Sequence, residues 1–119
     1  MGNSVVHFEI IGKDGKKLHD FYSGVFGWKI NADNPMNYGL VSEQDTGGGI
    51  GGGVGQGDAS SVTFYIAVDD PQAFLAKVEA AGGKTIVPVT EIPGMVTFAQ
   101  FADPEGNVVG IVKNEPPGQ

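Results

Sequence analysis

Apolar and polar residues alternate in two short runs, VHFEI at 6–10 and VTFYI at 62–66, which lie 56 residues apart. A period of two is the mark of a strand with one face buried. After each run the period lengthens. Leu18, Phe21, Tyr22, Val25 and Phe26 recur at i, i+3, i+4, i+7 and i+8, the stripe of a helix that lies on a core. Asp14 stands where it can cap this helix and Gly27 where it can end it. In the second half Asp70 caps, Pro71 takes the first helical position, and Phe74, Leu75 and Val78 face inward until Gly82 and Gly83 stop the helix.

Short strand-like runs follow each helix. The first half has WKIN (28–31), YGLVS (38–42) and a glycine-rich stretch; the second has KTIVPV (84–89), MVTFAQFA (95–102) and NVVGIVK (107–113), with DPEGN at 103–107 as the turn between the last two. The offset of 56 also pairs Asp14 with Asp70, Gly27 with Gly83 and Ile30 with Ile86. Each half therefore reads as βαβββ, with module one at 4–55, module two at 61–113 and a short flexible tail at 114–119. The expected fold class is α+β, one domain with an eight-stranded, strongly curved sheet, helices outside and an open cup. Small molecules bind in such concavities.

The stretch TGGGIGGGVGQG, 46–57, holds eight glycines in twelve residues. Gly47, Gly49 and Gly52 satisfy G-x-G-x-x-G, but a dinucleotide fingerprint needs a helix to begin there, and the adjoining DASSVTFYIAV at 58–68 reads as a turn and a strand. No Lys-Ser or Lys-Thr comes after the glycines, so a P-loop is excluded as well. Two readings stay open: a strand lining the cup, equivalent to NVVGIVK, or a mobile connection. On the strand reading, Gly51→Val is expected to be structurally tolerated, because Val suits extended backbone.

Composition narrows the function. The net charge is −7 and all seven basic residues are Lys, which argues against nucleic acid and against a heavily phosphorylated ligand. With no cysteine, thiol nucleophiles, disulfides and thiolate zinc sites are excluded. No apolar run reaches the length of a membrane span, and the first residues carry no charged-then-apolar leader, so a cytoplasmic protein is expected.

The paired modules, together with HFEI, FYSGVFGWKI and FADPEGNVVGIV, resemble the vicinal oxygen chelate superfamily of glyoxalases, bleomycin resistance proteins and extradiol dioxygenases. The resemblance covers roughly residues 4 to 113. It implies a small-molecule ligand, a homodimer and, in metal-dependent members, two metal ligands from each module. By that correspondence His7 matches a ligand position, whereas Thr63, Gly110 and Gly51 stand at the other three. No cofactor is therefore expected, and a divalent metal is disfavoured. Glu9 shares the strand face of His7 and makes with it an acid/base-capable pair. His19 is expected on the polar side of its helix. Trp28 is open to either the cup or the core. The expected ligand-binding set is His7, Glu9, Tyr38, Gly51, Thr63, Tyr65 and Gly110, with His7 and Glu9 as the catalytic pair if a reaction occurs. The alternative to a binding protein is a lyase or isomerase using that pair, with or without a weakly bound divalent metal.

Overall fold

The two capping aspartates do the same work in each half. In the computed structural model, which describes residues 2–114, Asp14 Oδ1 accepts from Lys17 N at 3.0 Å and opens α1 (Gly15–Phe26). Asp70 Oδ1 accepts from Ala73 N at 3.2 Å and opens α2 (Pro71–Ala80). Each such cap stabilises its helix by roughly 1 kcal/mol. Gly27 closes α1 in the left-handed region at φ 74°, where a side chain would be strained. Residues 115–119 of the expected tail lie outside the described residues.

The described residues form seven strands and two helices, an α+β fold, and divide into two compact units, 6–64 and 65–114 together with 2–5. In the first unit β1 (Val5–Gly12), β2 (Gly39–Val41) and β3 (Gly51–Gln56) lie in the order β2-β3-β1. The glycine tract is thus a strand from Gly51 onward, parallel to β1 and antiparallel to β2. Its earlier part is a turn, held by Gly48 N to Glu43 O at 2.9 Å and Thr46 Oγ1 to Ile50 O at 2.9 Å.

Seven strands replace the expected eight because WKIN pairs only through one bridge, Asn31 with Leu40. Trp28 is held in a ring cluster with Phe8, Tyr22 and Phe26, at centroid distances of 5.4, 5.4 and 5.8 Å. At the other end Asn31 Oδ1 accepts from Asp33 N and turns the chain away. The ring cluster also settles Trp28, which packs beneath α1.

α1 meets its sheet on a face that includes Leu18 and Tyr22 of the apolar stripe but not its other members. Phe21, Val25 and Phe26 are 53, 58 and 59% exposed. The inward residues are Gly15, Leu18, His19 and Tyr22, spaced i, i+3, i+4 and i+7. His19 is accordingly half-buried rather than on a polar face, and its Nε2 stands 2.6 Å from Val54 O. Gly39 makes room for it, since a Cβ there would fall 2.6 Å from the same nitrogen.

The second unit takes up β4 (Ser61–Val68) from Tyr65 onward and holds β5 (Lys84–Ile92), β6 (Val96–Ala102) and β7 (Val108–Lys113), in the order β4-β7-β6-β5. Val68, Leu75, Ala99 and Ile111 form its core, covered by Ile66, Phe74, Val89 and Phe101. Pro88 is accommodated because β5 is the edge strand of this unit, and the register slips between Thr85 and Thr90 around it. The turn after β6 is tied by Asp103. Its carboxylate accepts from Asn107 Nδ2, Asn107 N and Glu105 N, and these bonds, the Asn107 side chain's above all, hold its pKa below the usual value.

Candidate functional site

β1 runs parallel to β3 with His7 opposite Gly51, Glu9 opposite Gly53 and Ile11 opposite Gly55. Alternation puts these three pairs on one face of the sheet, while Phe8, Gly52 and Val54 belong to the other face, toward α1. The three glycines leave a strip of bare backbone between β1 and β2. Tyr38 lies on it. A Cβ at Gly53 would coincide with the Tyr38 ring and hydroxyl, and one at Gly55 would fall 2.9 Å from Tyr38 Cδ1.

The chain before Tyr38 is shaped to deliver that ring. Asn34 Oδ1 accepts from Tyr38 N at 3.0 Å and from Met36 N at 3.2 Å, while Asn34 Nδ2 donates to Tyr38 O at 2.7 Å. Asn37 takes φ 52°, a left-handed conformation that Asn tolerates better than most residues. The hydroxyl so placed donates to Glu9 Oε2 at 2.9 Å and lies 3.0 Å from His7 Nε2. His7, Tyr38 and Glu9 are therefore one hydrogen-bonded set, and the two β1 side chains that share a face are joined through a third.

A cleft of about 600 Å³ opens beside His7. Its walls include Val6, His7 and Gly51, then Lys29 and Asn31 after the helix, and Leu40, Glu43 and Asp45 from β2 and the turn beyond. Glu9 and Tyr38 are not among these walls. Burial holds the His7 imidazole below its ordinary pKa of 6.5, which favours the neutral ring near pH 7.

In the second unit Tyr65 is buried and pairs in register with Gly110. Its ring covers Gly110, and its hydroxyl accepts from Gln100 Nε2 at 2.8 Å. Thr63, which belongs to the first unit, is also buried and has Oγ1 at 3.5 Å from Phe64 O. The pairing shows that the counterpart of Gly110 is Gly53, which pairs with Glu9, rather than Gly51. In each half a tyrosine ring covers that glycine. Sequence reasoning passed over Gly53, Gly55, Asn34 and Gln100. An Asn four residues before an aromatic is too common to single out, and glycines carry no side-chain pattern to set their register.

The expectation for Gly51→Val is overturned. A Cβ at Gly51 would lie 2.9 Å from Val41 O and 3.3 Å from Glu43 N, both backbone atoms that cannot swing aside. As to a metal, the donors among the described residues do not fit one. No group of three or more His, Cys, Asp or Glu side chains gathers among the described residues, and glycines occupy the corresponding last-strand positions, Gly53 and Gly110. His7 Nε2 and Glu9 Oε2 are engaged with Tyr38.

Comparison with known proteins gives the wider setting. The family model described as Glyoxalase/Bleomycin resistance protein/Dioxygenase superfamily matches residues 4–111. A glyoxylase-like domain-containing protein of Didymella fabae is 33% identical over 114 residues, covering 87% of this chain and 88% of that protein. The anthracycline biosynthesis protein DnrV of Streptomyces peucetius is 27% identical over 117 residues, covering 83% of this chain and 42% of DnrV. Against CFP32 of Mycobacterium bovis, 42% identical over 52 residues, the chain covers only 20% of the relative's length. Among solved structures, methylmalonyl-CoA epimerase from Mycobacterium tuberculosis superposes with a TM-score of 0.67 at 13% identity, over 94% of this chain and 88% of the epimerase.

Proposed function

The chain belongs to the glyoxalase, bleomycin resistance protein and dioxygenase superfamily, and on that premise we propose that it binds a small molecule, without metal, in the cleft beside His7. The cleft carries this reading. At about 600 Å³ it lies within the range of small-molecule sites, and its walls mix apolar Val6, Leu40 and Val41 with the polar groups of His7, Asn31 and Lys29. The donor set supports metal independence, because one imidazole and one carboxylate do not close a divalent site. The charge of −7 with no Arg speaks for a ligand other than nucleic acid. A cytoplasmic homodimer completes the proposal.

The His7–Tyr38–Glu9 set favours a second reading, a lyase or isomerase in which His7 and Glu9 manage protons on a bound substrate. Burial keeps the His7 imidazole in its neutral form near pH 7, the form a general base starts from. The epimerase that shares the fold is an analogy of fold alone.

A thermal-shift screen of small organic molecules, run on wild type and His7→Ala, tests the proposal. A ligand at a hundred times its Kd stabilises by about 2.7 kcal/mol, and that shift should shrink in His7→Ala while elemental analysis finds metal well below one per chain. One metal per chain, or shifts indifferent to His7, would remove the binding reading as stated. For the second reading, His7→Ala and Glu9→Gln should each lower turnover by roughly a hundredfold or more.

A further inference from the structure

We infer that Tyr38 is a positioning residue for His7, seated on bare backbone so that its hydroxyl decides which ring nitrogen of His7 carries the proton. The inference rests on the reading of His7 as a wall of the ligand cleft and deepens it. A phenol has one proton to give, and a carboxylate only accepts, so the proton of Tyr38 goes to Glu9 Oε2 at 2.9 Å. The same phenolic oxygen then accepts from His7 Nε2 at 3.0 Å. A neutral imidazole has a single N–H, which this arrangement places at Nε2, making Nδ1 the basic nitrogen.

Two features of the chain serve this placement. Glycine weakens a strand, and β3 carries four within six residues, between two partner strands. The ring of Tyr38 accounts for two of them, since a Cβ at Gly53 or Gly55 would displace it. The second feature is Asn34, whose side-chain amide holds both the N–H and the carbonyl of Tyr38 as a strand partner would. The hydroxyl is thereby fixed from below and from behind.

The arrangement also couples His7 to Glu9. A proton taken up at Nδ1 is balanced by transfer of the Nε2 proton to the Tyr38 oxygen and of the hydroxyl proton to Glu9 Oε2. One proton enters at His7, one arrives at Glu9, and His7 and Tyr38 both end neutral.

The test is nitrogen-15 NMR of histidine-labelled, ligand-free protein, with the His7 signals assigned by their loss in His7→Gln. The expected spectrum shows His7 protonated at Nε2 and bare at Nδ1, with that proton exchanging slowly with water. Tyr38→Phe keeps the ring on its floor and removes only the hydroxyl. Exchange of the Nε2 proton should then quicken roughly five- to tenfold, the scale of one net hydrogen bond. Gly53→Ala, which keeps the hydroxyl but lifts the ring, should do the same; if that variant does not fold, wild type and Tyr38→Phe decide the matter alone. A proton at Nδ1 in wild type, or unchanged exchange in Tyr38→Phe, would overturn the inference. No ligand is used, so failure here leaves cleft binding to the thermal-shift screen, and failure there leaves the tautomer standing.

Discussion

His7 shows how one side chain's surroundings become a property of the whole protein. Burial lowers its pKa in the folded state below the 6.5 of an exposed imidazole, so the unfolded chain binds more protons than the folded one. Its contribution to stability is therefore complete above pH 6.5 and is lost as pH falls through the lowered folded value. Melting temperature should drop between about pH 7.5 and about pH 5 more steeply in wild type than in His7→Gln, where that titration is absent. Asp103, also lowered, titrates in a more acidic range and does not confuse the comparison. Equal slopes in the two proteins would refute the assignment to His7. Gly51 gives a second residue-scale prediction. Because Val41 O stands 2.9 Å from where its Cβ would be, Gly51→Val should lose about 1–3 kcal/mol of stability in urea unfolding. A variant as stable as wild type would show that the backbone there yields easily. From the sequence, the nature of His7 and Glu9 and their shared face were legible, because a two-residue spacing on a strand leaves no other choice. The link between them was not, because Tyr38 comes from a loop 29 residues beyond Glu9.

At the scale of elements, the glycine strand has a reason for its composition. Phe8 covers Gly52 on the helix side and Tyr38 covers Gly53 and Gly55 on the other, so rings from neighbouring segments supply what the strand lacks. Amide exchange should accordingly be slow through Gly52–Gly55, in the middle of a three-stranded unit, and fast at Gly49 and Ile50 in the preceding turn. Uniformly fast exchange from 47 to 57 would return the stretch to a mobile connection. Helix starts were legible because an aspartate followed by an apolar stripe has one local meaning, and both caps form. The facing of α1 was not. Of its stripe Leu18 and Tyr22 do face inward, but the bond of His19 to Val54 O and the close approach of Gly15 to Gln56 turn the helix so that Phe21, Val25 and Phe26 stay exposed. A polar residue that finds a buried carbonyl outranks hydrophobicity here, and no pattern in the sequence announces that carbonyl.

For the molecule as a whole, the duplicated plan explains why so much of the fold could be read. Strand, capped helix and returning strands occur twice, and in each half a tyrosine covers the glycine that pairs with the first strand, Tyr38 on Gly53 and Tyr65 on Gly110. The halves differ in what surrounds that ring. Tyr38 joins His7 and Glu9 next to an open cleft, whereas Tyr65 is buried and hydrogen-bonded to Gln100. The hydrogen-bonded set and the cleft both lie in the first half, and the proposed ligand binding stands on them. The most direct measurement is a two-dimensional amide NMR titration with a library of small organic fragments. Binders should shift the amides around Val6–His7, Lys29–Asn31, Leu40–Asp45 and Gly51–Gly52, and these shifts should weaken in His7→Ala. Fragments that bind only elsewhere on the protein, leaving those amides unmoved, would contradict it.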